Sequence, residues 1–306
     1  MTRFIGYLLL AALAGDCRSQ DAAFSSDVKV VSLLATVRDS SGKVVGNLTK
    51  DDFRLEEDGR PQTIRYFSRE SDLPLTIVLL VDTSRSMETV FEPERAASIR
   101  FLEQVLREDR DVAAVVHFDV KVQALQNFTS SREKLSAALS RLKIPSRVST
   151  LLYEGIRQSS ESLTRKRSGR KAFILLSDGM DIRSRTSIGT AIEYAQRADT
   201  MIYSVLFNHP PLLPFRPGTV AAEARRNRGP RVMRRLARET GGGFFEVSSD
   251  SPIDTIYAQI ENELRNQYSI GFTSDSNDAT GKYRKLTLTT AKEGLVVRTR
   301  DGYYPK

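Results

Sequence analysis

Four stretches of the chain are apolar almost without interruption: "LTIVLLV" from Leu75, "DVAAVVHF" from Asp111, "KAFILLS" from Lys171 and "TMIYSVLF" from Thr200. A strand with one face in water alternates apolar and polar residues. A run that is apolar at nearly every position must be covered on both faces. Helical spacing lies between these runs. Ile99, Leu102, Val105 and Leu106 recur on one face, a second helix is expected after Ser130, a third from about Leu151, and a fourth over "SIGTAIEYAQRA". Strand and helix in this alternation predict an α/β fold, a doubly wound and mostly parallel sheet with helices on both faces.

The two ends have a different texture. From Val28 to Phe67 short strands are broken by polar turns, with "FRLEEDGRPQTIRYF" pivoting on Asp58-Gly59. Near the other end "SPIDTIYAQIENELRNQ" reads as a helix in which Ser251 is placed to cap, Pro252 suits the first turn and Asp254 completes a box-like start. Its residues Ile253, Ile256, Tyr257, Ile260 and Leu264 share a face. The segments "YSIGF", "KYRKLTLTT" and "GLVVRTRDGYY" that follow return to β texture. The expected division is an N-terminal β segment over 28–70, an α/β domain over 73–267, and a C-terminal β segment over 268–306. Each β segment has too few strands to stand alone, so the two are expected to pack together.

The chain starts with one positive charge at Arg3, an apolar stretch and a small-x-small end at Ala12-Leu13-Ala14. Residues 1–14 are therefore expected to be an export signal, too short to span a bilayer. Lipid attachment at Cys17 is disfavoured, because Asp16 stands directly before the cysteine. After cleavage the chain holds at most one cysteine and needs no disulfide. No later segment is apolar enough to cross a membrane.

The balance of 46 Lys+Arg against 38 Asp+Glu leaves a net charge of +8. Much of the excess lies between Arg216 and Arg238, where no aromatic residue is interleaved and no nucleic-acid motif surrounds the arginines. A solvated basic loop and helix face is the expected reading, with no nucleic-acid partner. Five prolines mark His209–Pro230 as a long, mobile insertion.

At the end of the first buried run the sequence reads "LLVDTSRSM". Asp82, Ser84 and Ser86 recur every second residue, just past the carboxyl end of a strand, where open α/β sheets bind ligands. Asp178 follows "KAFILLS" at the same edge, and Thr150, with Ser149 beside it, precedes the third helix. Taken singly, such residues most often satisfy loop backbone. Five of them, ordered along an α/β pattern and delivering only oxygen, point instead to a hard cation: Mg²⁺, or else Mn²⁺ or Ca²⁺. His117 is expected in the core or at a sheet edge, and Asp181 at a helix cap. The chain has no phosphate-binding loop ending in Gly-Lys-Ser/Thr, no Gly-x-Ser-x-Gly elbow and no His-Glu-x-x-His.

"DTSRS", with Thr150 in "STLLYEGI" and Asp178 in "LLSDGMD", resembles the metal-ion-dependent adhesion site of von Willebrand factor type A domains. The flanks "LTKDDFRLEEDGRPQTIRYF", "LARETGGGFFEV" and "ELRNQYSIGF" resemble a bacterial branch of that family common in acidobacteria. The resemblance implies that Ser84, Ser86 and Thr150 touch the metal, while Asp82 and Asp178 hold metal-bound waters. Neutral hydroxyls leave the cation's charge largely uncompensated, so the open position attracts a carboxylate from a protein partner. Arg85 and Arg147-Val148-Ser149 stand where the family often has small residues, but no coordinating group is lost, and Ser149 offers a second hydroxyl beside Thr150. The expected function is an exported, non-enzymatic protein-binding module. An accessory subunit of a larger envelope or surface assembly is the alternative, and a metal-dependent hydrolase ranks last, since it would want more direct carboxylates.

Overall fold

The computed structural model describes residues 30–69, 73–146, 149–207, 227–276 and 281–305. The expected signal at 1–14, Cys17, Arg147-Val148 and residues 209–226 of the expected insertion lie outside the described residues. In chain order, β1 (Val30–Arg38), β2 (Phe53–Glu57), β3 (Arg60–Gln62) and β4 (Ile64–Ser68) precede the α/β part. That part runs β5 (Leu75–Asp82), α1 (Phe91–Val105), β6 (Val112–Phe118), β7 (Val122–Thr129), α2 (Arg132–Ser140), α3 (Leu152–Ser159), β8 (Arg170–Ser177) and α4 (Ile188–Arg197). It continues through β9 (Thr200–Phe207), α5 (Arg228–Thr240), β10 (Phe244–Val247) and α6 (Ile253–Arg265). Then come β11 (Tyr268–Thr273), β12 (Arg284–Thr290), β13 (Val296–Arg298) and β14 (Gly302–Tyr303).

The central sheet has the order β10-β9-β8-β5-β6-β7. Its pairs are parallel except that of β6 with β7. The reason for the continuous apolar runs is visible in β5, where every residue is buried. Leu75, Ile77, Leu79 and Val81 face the core shared with α1, α2 and α6. Val78 and Leu80 face the opposite core, with Leu152 and Ile156 of α3, Ala191, Ile192 and Ala195 of α4, and Met233 and Leu236 of α5.

Three features depart from the sequence reading. Strand β7, "VQALQNFT", escaped it because this half-buried antiparallel edge strand lacks a continuous apolar run. Arg228–Pro230, assigned to the insertion, form the first turn of α5. Ser251 does not cap α6: Pro252, in extended conformation, takes the N-cap position with no side-chain cap, and the N–H of Ser251 bonds back to Ser248 instead. The apolar face expected for that helix is buried in full.

The terminal strands form two antiparallel four-stranded sheets, β13-β1-β11-β4 and β14-β12-β2-β3, each drawing strands from both ends of the chain. Asp58 and Gly59, both at positive φ (49° and 78°), turn β2 into β3. Leu33, Ala35, Val37, Phe53, Leu55, Tyr268, Ile270, Phe272, Leu286 and Leu288 fill the core of these sheets. Helix α6 leads into β11 through only Asn266 and Gln267, and its buried Glu263 receives hydrogen bonds from Arg38 of β1 and Arg298 of β13.

The base of the α/β sheet is tied at Asp111, whose side chain is shut off from solvent. It accepts from the N–H of Leu75 at 2.8 Å, the N–H of Arg107 at 3.0 Å and Arg265 Nη2 at 2.7 Å. Burial alone would push this carboxyl up, but the hydrogen bonds from Arg265, Arg107 and the two N–H groups outweigh it and hold it at about 2. A carboxyl held below its unfolded value, near 4, contributes stability that is present above that value and lost as pH falls through about 2. Asp111→Asn is therefore expected to cost about 2 kcal/mol at pH 7. Denaturant unfolding of both proteins down to pH 2.5 checks this: the gap should shrink toward acid, and a gap independent of pH would refute it.

Candidate metal centre

Strand β5 is flanked by β6 on one side and β8 on the other, so consecutive connections leave it in opposite directions. The crevice at such a switch point is where open α/β sheets bind ligands. Asp82 is the last residue of β5 and Asp178 the first after β8, so the two aspartates stand on either side of it.

Asp82 is buried outright. Its Oδ1 accepts from the N–H of Ser84 at 2.9 Å and its Oδ2 from Ser177 Oγ at 2.6 Å. Ser177 Oγ in turn accepts from the N–H of Gly179 at 3.0 Å. Gly179 needs to be glycine: its φ is 75°, and a Cβ there would lie 2.5 Å from the carbonyl oxygen of Gly229 in α5. Asp178 is half-buried and accepts from the N–H of Met180 at 2.9 Å. Burial first, and then the charge of Asp178, push Asp82 up to about 7, against the lowering effect of the Ser177 and Ser84 hydrogen bonds. Two carboxylates thus stand close enough at the switch point for the charge of Asp178 to act on buried Asp82.

Ser84 Oγ and Ser86 Oγ are 3.0 Å apart, Ser84 buried and Ser86 half-buried. Arg85 between them is exposed. Thr150 is buried at the same rim. Its backbone pairs with Ile182, at 3.2 Å and 2.8 Å, which ties it to the loop that carries Asp178. The next N–H, that of Leu151, donates to the carbonyl of Asp119 at 3.1 Å. Ser149 Oγ donates to the carbonyl of Ile182 at 3.3 Å, so this hydroxyl already serves the loop. The structure therefore joins Asp82, Ser84 and Ser86 by hydrogen bonds, sets Asp178 where its charge acts on Asp82, and ties Thr150 through backbone bonds to the loop that carries Asp178.

Sequence reasoning missed the supports of this rim. Thr83 Oγ1 donates to Asp119 Oδ2 at 2.8 Å and lies 3.0 Å from His117 Nδ1, all three being buried. His117 is a core histidine as expected, and burial lowers its basicity. Asp181 does act at a helix start, accepting from the N–H of Tyr153 in the first turn of α3 at 3.1 Å and from Ser184 Oγ at 2.6 Å. For Thr83 and Asp119 the only sequence signal is their position next to strand ends.

Among the described residues no three His, Cys, Asp or Glu side chains gather as a ligand group. The groups brought together at the switch point are the Asp82 and Asp178 carboxylates and the Ser84 and Ser86 hydroxyls, with Thr150 on the neighbouring loop. Oxygen donors alone, with two like charges left beside each other, fit a hard divalent cation.

A doubly wound, mostly parallel sheet with helices on both faces and an Asp-x-Ser-x-Ser loop at its switch point defines the class as an α/β domain of open-sheet type. The sequence profile of the von Willebrand factor type A domain matches residues 76–259. The chain belongs to that family. No curated protein matches it. Among solved structures it is similar to proximal thread matrix protein 1 of the mussel byssus, at 12% identity and a TM-score of 0.52, over 76% of this chain and 50% of that one. A second structure of the mussel protein, with a zinc-occupied MIDAS motif, gives 13% identity and a TM-score of 0.53 over 69% of this chain and 50% of that one. The pilus adhesin SpaC of Lactobacillus rhamnosus GG is matched at 12% identity and a TM-score of 0.49, over 81% of this chain and 47% of that one. The chain spans about half the length of each of these proteins. At such identities the likeness concerns the fold.

Proposed function

We propose that this chain is a non-enzymatic protein-binding module that captures an acidic group of a protein partner through a divalent cation, Mg²⁺ foremost, held by Asp82, Ser84, Ser86, Thr150 and Asp178. The observation that carries the reading is the pairing of buried Asp82 with Asp178 across the switch-point crevice, beside the Ser84 and Ser86 hydroxyls. The zinc-occupied MIDAS motif of the mussel byssus protein supports the assignment of a metal to this place in the fold. Hydroxyls as direct ligands and carboxylates acting through water leave the ion electrophilic. Mg²⁺ sheds water reluctantly, and an anionic oxygen competes for its open position far better than a neutral one. Every other group at the crevice has a holding role: Ser177 and the N–H of Ser84 orient Asp82, and the bridge to Ile182 fixes Thr150.

Export is part of the proposal and rests on Met1–Ala14. Among the described residues no helix is long and apolar enough to cross a membrane.

A peptide array bearing Asp or Glu, with matched Asn and Gln peptides, tests the capture step in MgCl₂ and in EDTA. Signal should be confined to the acidic peptides in MgCl₂, and Asp178→Ala should weaken it about ten-fold or more, as loss of an outer partner of a metal commonly does. Equal signal in EDTA would move the interaction surface away from the crevice.

A further inference from the structure

Helix α5 carries arginine at 228, 231, 234, 235 and 238, and all five side chains are exposed. At 3.6 residues per turn Arg228, Arg231, Arg235 and Arg238 fall within about 80° of arc and form a row about 15 Å long. Gly229, Met233, Leu236, Ala237 and Thr240 bury the opposite face, so the row points away from the core. Its carboxyl end is partly balanced. Arg235 and Arg238 share Glu239, at 2.8 Å and 3.1 Å, and Arg238 lies 3.5 Å from Asp301. Its amino end is bare: among the described residues Arg228 and Arg231 have no hydrogen-bond or ion-pair partner.

Such a row works against the helix that carries it. Cations in a first turn oppose the positive end of the helix dipole, and like charges three or four residues apart repel. No acidic residue stands in that turn to offset them. Solvation alone would be served as well by mixed charges.

The row also begins at the candidate metal centre. A Cβ on Gly229 would stand 2.1 Å from the carbonyl oxygen of Asp178 and 3.8 Å from Gly179 Cα. The backbone of the first turn of α5 therefore touches the backbone of Asp178, and the arginines lead away from that contact along the surface.

We propose that the arginine row of α5 is the second half of the capture surface, and that it takes an acidic segment of a protein partner. Several Asp or Glu residues of that segment lie along the row, next to the one that meets the cation. The proposal deepens the reading of Asp82, Ser84, Ser86, Thr150 and Asp178 as a cation site, and rests on it for the place of the first carboxylate. Each guanidinium offers a planar fork that matches a carboxylate. One acidic segment serves ion and row together, whereas a nucleic acid would use the row alone, and α5 has no aromatic side chain on which bases could stack. A second copy of this chain is a poor occupant, since each copy carries a net charge of +8.

Fluorescence anisotropy of the full chain tests this with three labelled probes: an oligo-glutamate peptide, a Gly-Ser peptide of equal length with a single Glu, and a single-stranded oligothymidine of equal charge. Each is measured in MgCl₂ and in EDTA, with wild type, Arg228→Ser/Arg231→Ser and Arg231→Glu. In MgCl₂ the wild type should hold oligo-glutamate about ten-fold more tightly than the single-Glu peptide, and added salt should erode that difference. The double variant should lose about two- to five-fold per arginine on oligo-glutamate and nothing on the single-Glu peptide. Its thermal unfolding should match wild type, because both side chains are exposed. Should it not fold, Arg231→Glu decides alone, with a loss at least as large as that for one arginine. Undiminished oligo-glutamate affinity in the folded variants would overturn the proposal. Oligothymidine bound as tightly as oligo-glutamate in MgCl₂ would also overturn it, and would make the row a nucleic-acid surface. Arginine-dependent binding that is equal in MgCl₂ and EDTA would be the failure of the cation reading, whereas cation-dependent binding indifferent to the arginines would be the failure of the row alone.

Discussion

Asp82→Ala is expected to abolish divalent-cation binding while the α/β domain stays folded. The substitution removes the one side chain that contacts three parts of the site: the Ser84 N–H, the Ser177 hydroxyl and the field of Asp178. Loss of affinity should exceed a hundred-fold, beyond the ten- to hundred-fold typical of outer partners, because the crevice then keeps a single half-buried carboxylate. Stability without the cation should suffer little. A carboxyl raised above its unfolded value contributes stability that is fully present in acid and lost as pH rises through its folded value, here about 7. The cation-free wild type should therefore lose stability between about pH 4 and pH 7 through this group, and Asp82→Ala should flatten that slope. A divalent cation must displace the proton on Asp82, so its affinity should fall as pH drops below 7. Calorimetry across pH, paired with unfolding in EDTA, reads all three. Undiminished binding by the variant would place the cation elsewhere.

Glu57→Ala should open the paired terminal sheets without touching cation binding. Glu57 in β2 has no solvent exposure. It accepts from Tyr303 Oη of β14 at 2.5 Å and from Ser274 Oγ at 2.6 Å, and Arg284 of β12 lies 3.4 Å away. Removing the acid takes from the Arg284 guanidinium, itself almost wholly buried, the carboxylate 3.4 Å away, and from Tyr303 and Ser274 the acceptor of their hydroxyls. Loss of one member of a buried pair commonly costs about 3–5 kcal/mol. The cost falls on strands from both ends of the chain, because β2 pairs with β12 and β12 with β14. Limited proteolysis should cut the N-terminal and C-terminal segments together in the variant, with the α/β part resisting longer. Cleavage of one segment alone would mean that the two ends do not form one cooperative unit.

Much of this architecture could be read from local pattern. Burial on both faces leaves no position of a strand free to be polar, so β5, β6, β8 and β9 announced themselves as apolar runs. Edge strand β7 had no such signature, because one edge and part of a face remain near solvent. The cap of α6 was misplaced because two candidate residues adjoin and only the backbone angles of Pro252 decide between them.

The same division holds at the crevice. The order of Asp82, Ser84, Ser86, Thr150 and Asp178 along the chain, and the places of Asp82 and Asp178 at the ends of buried strands and of Thr150 before a helix, are properties of the sequence alone, since element ends follow from hydrophobic period. That β8 lies beside β5, and so sets Asp178 against Asp82, is a matter of strand order, which no local pattern encodes. Ser177, Gly179 and Gly229 acquire their roles only from that adjacency. Glu94 is the extreme case: in the sequence it is one more charged residue of an amphipathic helix. Only tertiary packing strips it of water and hydrogen-bond partners, because burial is decided by what other segments lay over a side chain and not by the side chain itself.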